Sequence, residues 1–146
     1  MAVFGPGADK LVKSVPAMST DGGKLELIGI GSDVPWGKAS SDLVSAVYDQ
    51  HVVAIIALDR KSSHLAEQIG VKSLVPVVAV SSDRTLTSIN IPWIFRLPAG
   101  TSLEQALQTV SAAERVAGPN RSRLRDELAS GRQFAGVQFQ TTGEPR

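Results

Sequence analysis

Three features of the sequence predict an α/β fold, a three-layer sandwich built on a mainly parallel sheet. Residues 52–57 (VVAIIA) and 75–80 (VPVVAV) are apolar runs with little or no polar alternation, as in strands covered on both faces. Each run gives way to a short polar loop, residues 58–63 and 81–84. Between the two lies a stretch of helical period with Leu65 and Ile69 on one face. Strands alternating with helices imply right-handed crossovers, here with five main strands in a flavodoxin-like order. Parallel neighbours carry both polar loops to the same carboxyl edge of the sheet, where open α/β sheets bind ligands.

Taken in order, residues 2–4 read as a first strand running into the turn Gly5-Pro6-Gly7, followed by a helix that Pro16 makes short or kinked. The turn lacks the lysine and hydroxyl residue of a phosphate-binding P-loop, so a structural role outweighs a phosphate cradle. Asp21, Gly22 and Gly23 predict a turn into residues 24–30, whose polar and apolar residues alternate as in a more exposed edge strand. Ser32 or Asp33 is positioned to cap a helix with Pro35 in its first turn. Trp36, Leu43, Val44, Val47 and Tyr48 follow at helical spacing and predict an apolar stripe on the sheet, with pocket lining as the other role open to Trp36. Gly70 is suited to end the helix after the first polar loop. Ile94, Phe95 and Leu97 around Arg96 predict a fifth strand, closed by Pro98-Ala99-Gly100. Thr101 and Glu104 have capping-box spacing before a helix whose apolar face runs from Leu103 to Ala117. Gly118 and Pro119 stop it, Asn120 caps the next, and Phe134, Val137 and Phe139 suggest a last strand.

The length of 146 residues fits one domain, assigned to residues 1–140, with 141–146 as a flexible tail. A net charge of +1 and 5% aromatic residues give neither the electrostatic footprint nor the stacking surface of a nucleic-acid binder. With no cysteine there is no disulfide, zinc thiolate, iron–sulfur cluster or thiol nucleophile. No apolar stretch reaches the roughly 20 residues that span a bilayer.

Chemistry-bearing residues are few. His51 and His64 are the only histidines, so one chain cannot build a metal site from several imidazoles. Ser63 neighbours His64, but adjacent helical residues point in different directions, and no serine has glycine two residues away on both sides as in a nucleophile elbow. These gaps argue against a hydrolase, and no catalytic residue, metal or cofactor is expected. Arg121, Arg123, Arg125 and Arg132 are interleaved with Asp126 and Glu127, as on a solvated helix face rather than an anion site. What remains at the carboxyl edge is a set of hydroxyls, Ser62 and Ser63 after one strand and Ser81 and Ser82 after the next. Serines at helix starts suit carboxylates and phosphates, although Ser62 or Ser63 acting as a helix cap is the simpler role.

The order of these segments resembles the branched-chain amino-acid substrate-binding subunits of ABC transporters, within the type I periplasmic binding proteins. The similar run is LVSAVYDQHVVAII (43–56), SSHLAEQIGVKSLVPVVAVSS (62–82), TLT (85–87) and PWIFRL (92–97). The segment AAERVAGPNRSRLRDELASGRQFAGVQF (112–139) is similar to the closing helices of that family. The resemblance implies one lobe of a two-lobed protein, with the second lobe deleted after PWIFRL. It also implies a non-catalytic role in an extracytoplasmic or periplasmic setting, with a small amino acid as ligand and a membrane permease as partner. By matching position, Ser62 or Ser63 would hold a ligand carboxylate, Ser82 would stand for a threonine, and the Val80 carbonyl would help hold an ammonium group, with Ser81 in the same loop. The chain departs from the family pattern at Ala57 and Leu58, where glycine and proline are usual. Without the second lobe, the face that met it becomes available for a homodimer.

Overall fold

The computed structural model describes residues 1–16, 19–20 and 23–146. In chain order the elements are β1 (Ala2–Gly5), α1 (Ala8–Ser14), β2 (Ser19–Thr20), β3 (Gly23–Lys24), β4 (Ile28–Gly31), α2 (Trp36–Tyr48), β5 (Ile55–Ala57) and α3 (Arg60–Ser73). They continue with β6 (Val77–Val80), α4 (Thr85–Ser88), β7 (Ile94–Leu97), α5 (Leu103–Ala117), α6 (Arg121–Leu128), β8 (Gln133–Phe134) and β9 (Val137–Gln138). Five strands form one sheet in the order β4-β1-β5-β6-β7, every neighbouring pair parallel. This is the flavodoxin-like order, and β4 lies at an edge as the alternation in residues 24–30 predicts. Asp21 and Gly22, two residues of the turn expected there, lie outside the described residues.

The apolar runs work as expected because successive strand residues face opposite layers. Val3, Ile56, Val78 and Phe95 face a core shared with α5 and α6. Phe4, Ile55, Val77 and Ile94 face the other core, with Leu43 and Val47 of α2 and Leu65 of α3. Val52 and Ala54 are buried ahead of β5, the Ala54 carbonyl accepting from the Ala2 amide at 3.0 Å, so β5 is shorter than the apolar run that contains it.

Several local expectations are corrected. Gly70 does not end α3: the helix runs on to Ser73, and Leu74 makes the left-handed cap at φ 56°. Gly70 serves close approach instead, since a Cβ there would lie 2.5 Å from Val77 Cγ2 and 2.9 Å from the Val75 carbonyl. Neither Ser32 nor Asp33 caps α2; Pro35 precedes its first residue, Trp36, and Asp33 Oδ1 accepts from the Gly7 amide at 3.3 Å. The cap of α5 is Ser102 rather than Thr101, its hydroxyl accepting from the Gln105 amide at 3.1 Å. Of the predicted stripe on α2 only Leu43 and Val47 are buried, while Trp36, Val44 and Tyr48 remain exposed.

Two of the arginines of α6, Arg121 and Arg125, act structurally. Arg121 donates to the carbonyls of Val52 and Val47 at 2.9 and 2.7 Å, and Arg125 stacks on Trp93 at 4.8 Å. The last predicted strand is a hairpin, β8 and β9, turned through Ala135 and Gly136, both with positive φ. Residues 141–146 continue from it along the free edge of β7: the Arg96 amide donates to the Gly143 carbonyl at 2.8 Å, and Phe139 bridges to Pro145.

Candidate functional site

The two polar loops meet at the carboxyl edge of the sheet, as the parallel order requires, and a carboxylate joins them. Asp83, in the loop after β6, receives the Thr85 amide and hydroxyl on Oδ1 at 3.0 and 2.7 Å. Its Oδ2 faces Arg60 Nε at 2.7 Å and His64 Nε2 at 2.8 Å, both on the first turns of α3. The Thr85 hydroxyl, followed by Arg60 and His64, holds the Asp83 carboxyl well below the usual carboxylate range. His64 lies between two carboxylates, with Nδ1 3.5 Å from Glu67 Oε2.

Asp59 caps α3: its side chain accepts from the Ser62 amide at 2.9 Å. Capping by Ser62 or Ser63 is therefore corrected, because both lie inside the helix and both are fully buried. Ser62 Oγ donates to Ser32 Oγ at 3.1 Å, and Ser63 Oγ to the Asp59 carbonyl at 2.5 Å. Ser81 is buried as well, its hydroxyl accepting from the Asp83 amide at 3.0 Å. Ser82 alone of the four serines is exposed, and Val80 closes the buried strand β6. The loop after β6 leads into a single helical turn, α4, so it is not a full helix start. The candidate residues are thus gathered at one edge, but three of the four hydroxyls already have partners inside the chain.

At the point where the strand order reverses, between β1 and β5, the crevice is filled. The Leu58 amide donates to the Phe4 carbonyl at 2.9 Å, and a Cβ on Gly5 would sit 2.6 Å from Leu58 Cβ. Space opens instead beside α3, in a cavity of about 580 Å³. Trp36 and Leu65 supply its apolar lining, with Asp59, Arg60, Lys61 and His64 around them. Lys61 Nζ lies 4.9 Å from the centre of the Trp36 ring. A second cavity, of about 500 Å³, runs along the edge strand β4 among Asp9, Asp33, Lys38 and Asp42.

Among the described residues no group of three or more His, Cys, Asp or Glu side chains is arranged to hold a metal ion. Also among them, no helix is long and apolar enough to cross a membrane. Reading the sequence missed the cluster of Asp83, Arg60 and His64. The signal was present: once both loops are assigned to one edge, the opposite charges at 60 and 83 become neighbours.

Among solved structures the chain is similar to a leucine-binding protein from Thermotoga maritima, with a TM-score of 0.51 over 80% of this chain at 16% identity. At that identity the likeness shows the fold alone, a single α/β domain on a parallel five-stranded sheet that matches part of the leucine-binding protein. The chain spans 36% of that protein's length. No protein-family model matches the chain, and no curated protein matches it in sequence.

Proposed function

We propose that the chain is a reduced, non-catalytic solute-binding lobe that holds a small amino acid or related solute weakly at the carboxyl edge, outside the cytoplasm and beside a membrane permease. The observation that carries this reading is the likeness to a leucine-binding protein over 80% of the chain, joined to serine loops at the ligand edge of the sheet. In this reading Ser82 and the Val80 carbonyl meet the ligand first. Ser62, Ser63 and Ser81 contribute only by exchanging their present hydrogen bonds. One wall buries far less of a ligand than a closed pocket does, so affinity is in the millimolar range, about −4 kcal/mol. Calorimetric titration with leucine, isoleucine and valine tests the reading. A saturable heat that Ser82→Ala weakens is expected; no heat and no thermal shift at millimolar ligand would sink it.

A second reading, in which the lobe pairs with another copy and ligand binding is degenerate, draws support from α2. That helix leaves Trp36, Val44 and Tyr48 exposed in one stripe. Sedimentation that finds a monomer at every concentration removes it.

A further inference from the structure

The cavity between the start of α2 and the outer face of α3 takes Asp59, Arg60 and Lys61 from the polar loop after β5 but not its serine hydroxyls. Residues 60, 61, 64, 65 and 68 form one face of α3, whereas Ser62 and Ser63 point away from it into buried contacts. We propose that this cavity binds a planar aromatic monocarboxylate.

Trp36 is the first argument. A tryptophan 44% exposed at the first position of a helix adds little to the core, and its ring forms one wall of a cavity of about 580 Å³. That size lies within the ~300–1,000 Å³ of small-molecule sites. Leu65, buried at the floor of α3, adds apolar lining beside the Trp36 ring, so an aromatic ring entering here has a face to stack on.

Charge selects the rest of the ligand. Arg60 and Lys61 face one carboxylate in the lining, Asp59, whose charge is committed to the Ser62 amide. Only Nε of Arg60 is held by Asp83, and the side chain is 76% exposed, leaving the end of its guanidinium directed to solvent. Lys61 already lies over the Trp36 ring, on a flexible stem that can turn to a ligand carboxylate as the ligand ring takes its place. A cationic ligand is disfavoured by these two cations.

Indole N–H resonances test this on the intact chain, because it has two tryptophans and Trp93 is buried under Arg125 as an internal control. Sodium benzoate, benzamide and acetate are the probes. Benzoate is expected to move the Trp36 resonance saturably at millimolar concentration, with Trp93 unmoved. Lys61→Met should weaken benzoate about fivefold, the scale of one exposed charge contact. Trp36→Ala, at an exposed position, should leave the fold intact and abolish the benzoate response of the His64 and Leu65 amides.

An unmoved Trp36 at roughly 20 mM benzoate, well above the millimolar Kd expected, overturns the proposal. So does an equal response to benzamide, which would mean that charge is not read, or to acetate, which would mean that the ring is not. Because the probes and the affected residues differ from those of the leucine titration, either reading can fail without the other.

Discussion

Gly70 shows how one residue type can mislead and then inform. Replacing a mid-helix glycine by alanine normally stabilises a helix by about 1 kcal/mol. At Gly37, in the first turn of α2, nothing lies within 4 Å of an added Cβ, and Gly37→Ala is expected to stabilise the chain by about 0.4–1 kcal/mol. At Gly70 the added methyl meets Val77 and the Val75 carbonyl, so overpacking of about 1–3 kcal/mol outweighs propensity and Gly70→Ala destabilises. Urea midpoints moving in the same direction for both would contradict this account. Asp83 makes a second prediction at this scale. Its carboxyl titrates lower in the folded chain than the ~3.9 of an unfolded aspartate, so its contribution is complete above about pH 4 and fades as pH falls below that. Asp83→Asn should therefore melt below the parent at pH 7, with the gap narrowing towards pH 3. A constant gap across that range would show that charge at Asp83 does not matter.

At the level of elements, the segment 139–146 acts as a strap on β7. Arg96 is buried on that edge strand with its side chain 8% exposed, and its guanidinium meets the Glu144 carboxylate at 2.5 Å. Arg96 Nη1 also donates to the Ser81 carbonyl at 2.9 Å, so the strap is tied to the serine loop. The Arg96 guanidinium, foremost, lowers the Glu144 carboxyl, and Thr87 adds a hydrogen bond. Removing one partner strands a buried charge, so Glu144→Ala should cost about 3 kcal/mol, while Arg96→Met added to it restores much of the loss. Denaturant titration of both variants checks this. If the double variant is less stable than Glu144→Ala, the pair is not the source of the loss. The composition of residues 141–146 gives no sign of these contacts, because they depend on long-range pairing to Arg96. The strands, by contrast, were legible from apolar runs, since burial on both faces leaves a local mark. Caps were read less well: Asp59, Ser102 and Pro35 differ from the expected residues by a few positions, as several neighbouring residues could each have supplied the first turn. The serines at the edge were legible as a group, but their internal hydrogen bonds were not.

For the whole molecule, the decisive place is the reversal of strand order between β1 and β5. Open sheets bind ligands in the crevice at such a point because the loops on either side diverge there. In this chain the divergence is filled by Leu58 against Gly5, and Ser32 and Ser62 close it further with a hydrogen bond. A lobe with this topology should therefore bind a solute poorly, because a side chain occupies the crevice as well as because one wall alone buries little of a ligand. The two causes can be separated. Leu58→Ala should lower stability by about 2 kcal/mol, the low end for a leucine that is only partly buried, and open room beside Gly5. If the filled crevice limits binding, millimolar leucine should raise the melting temperature of Leu58→Ala by several degrees more than that of the parent chain, as mass action requires of a tighter site. If both respond equally, affinity is set by how little of the ligand one wall buries, and Leu58 has no part in limiting it.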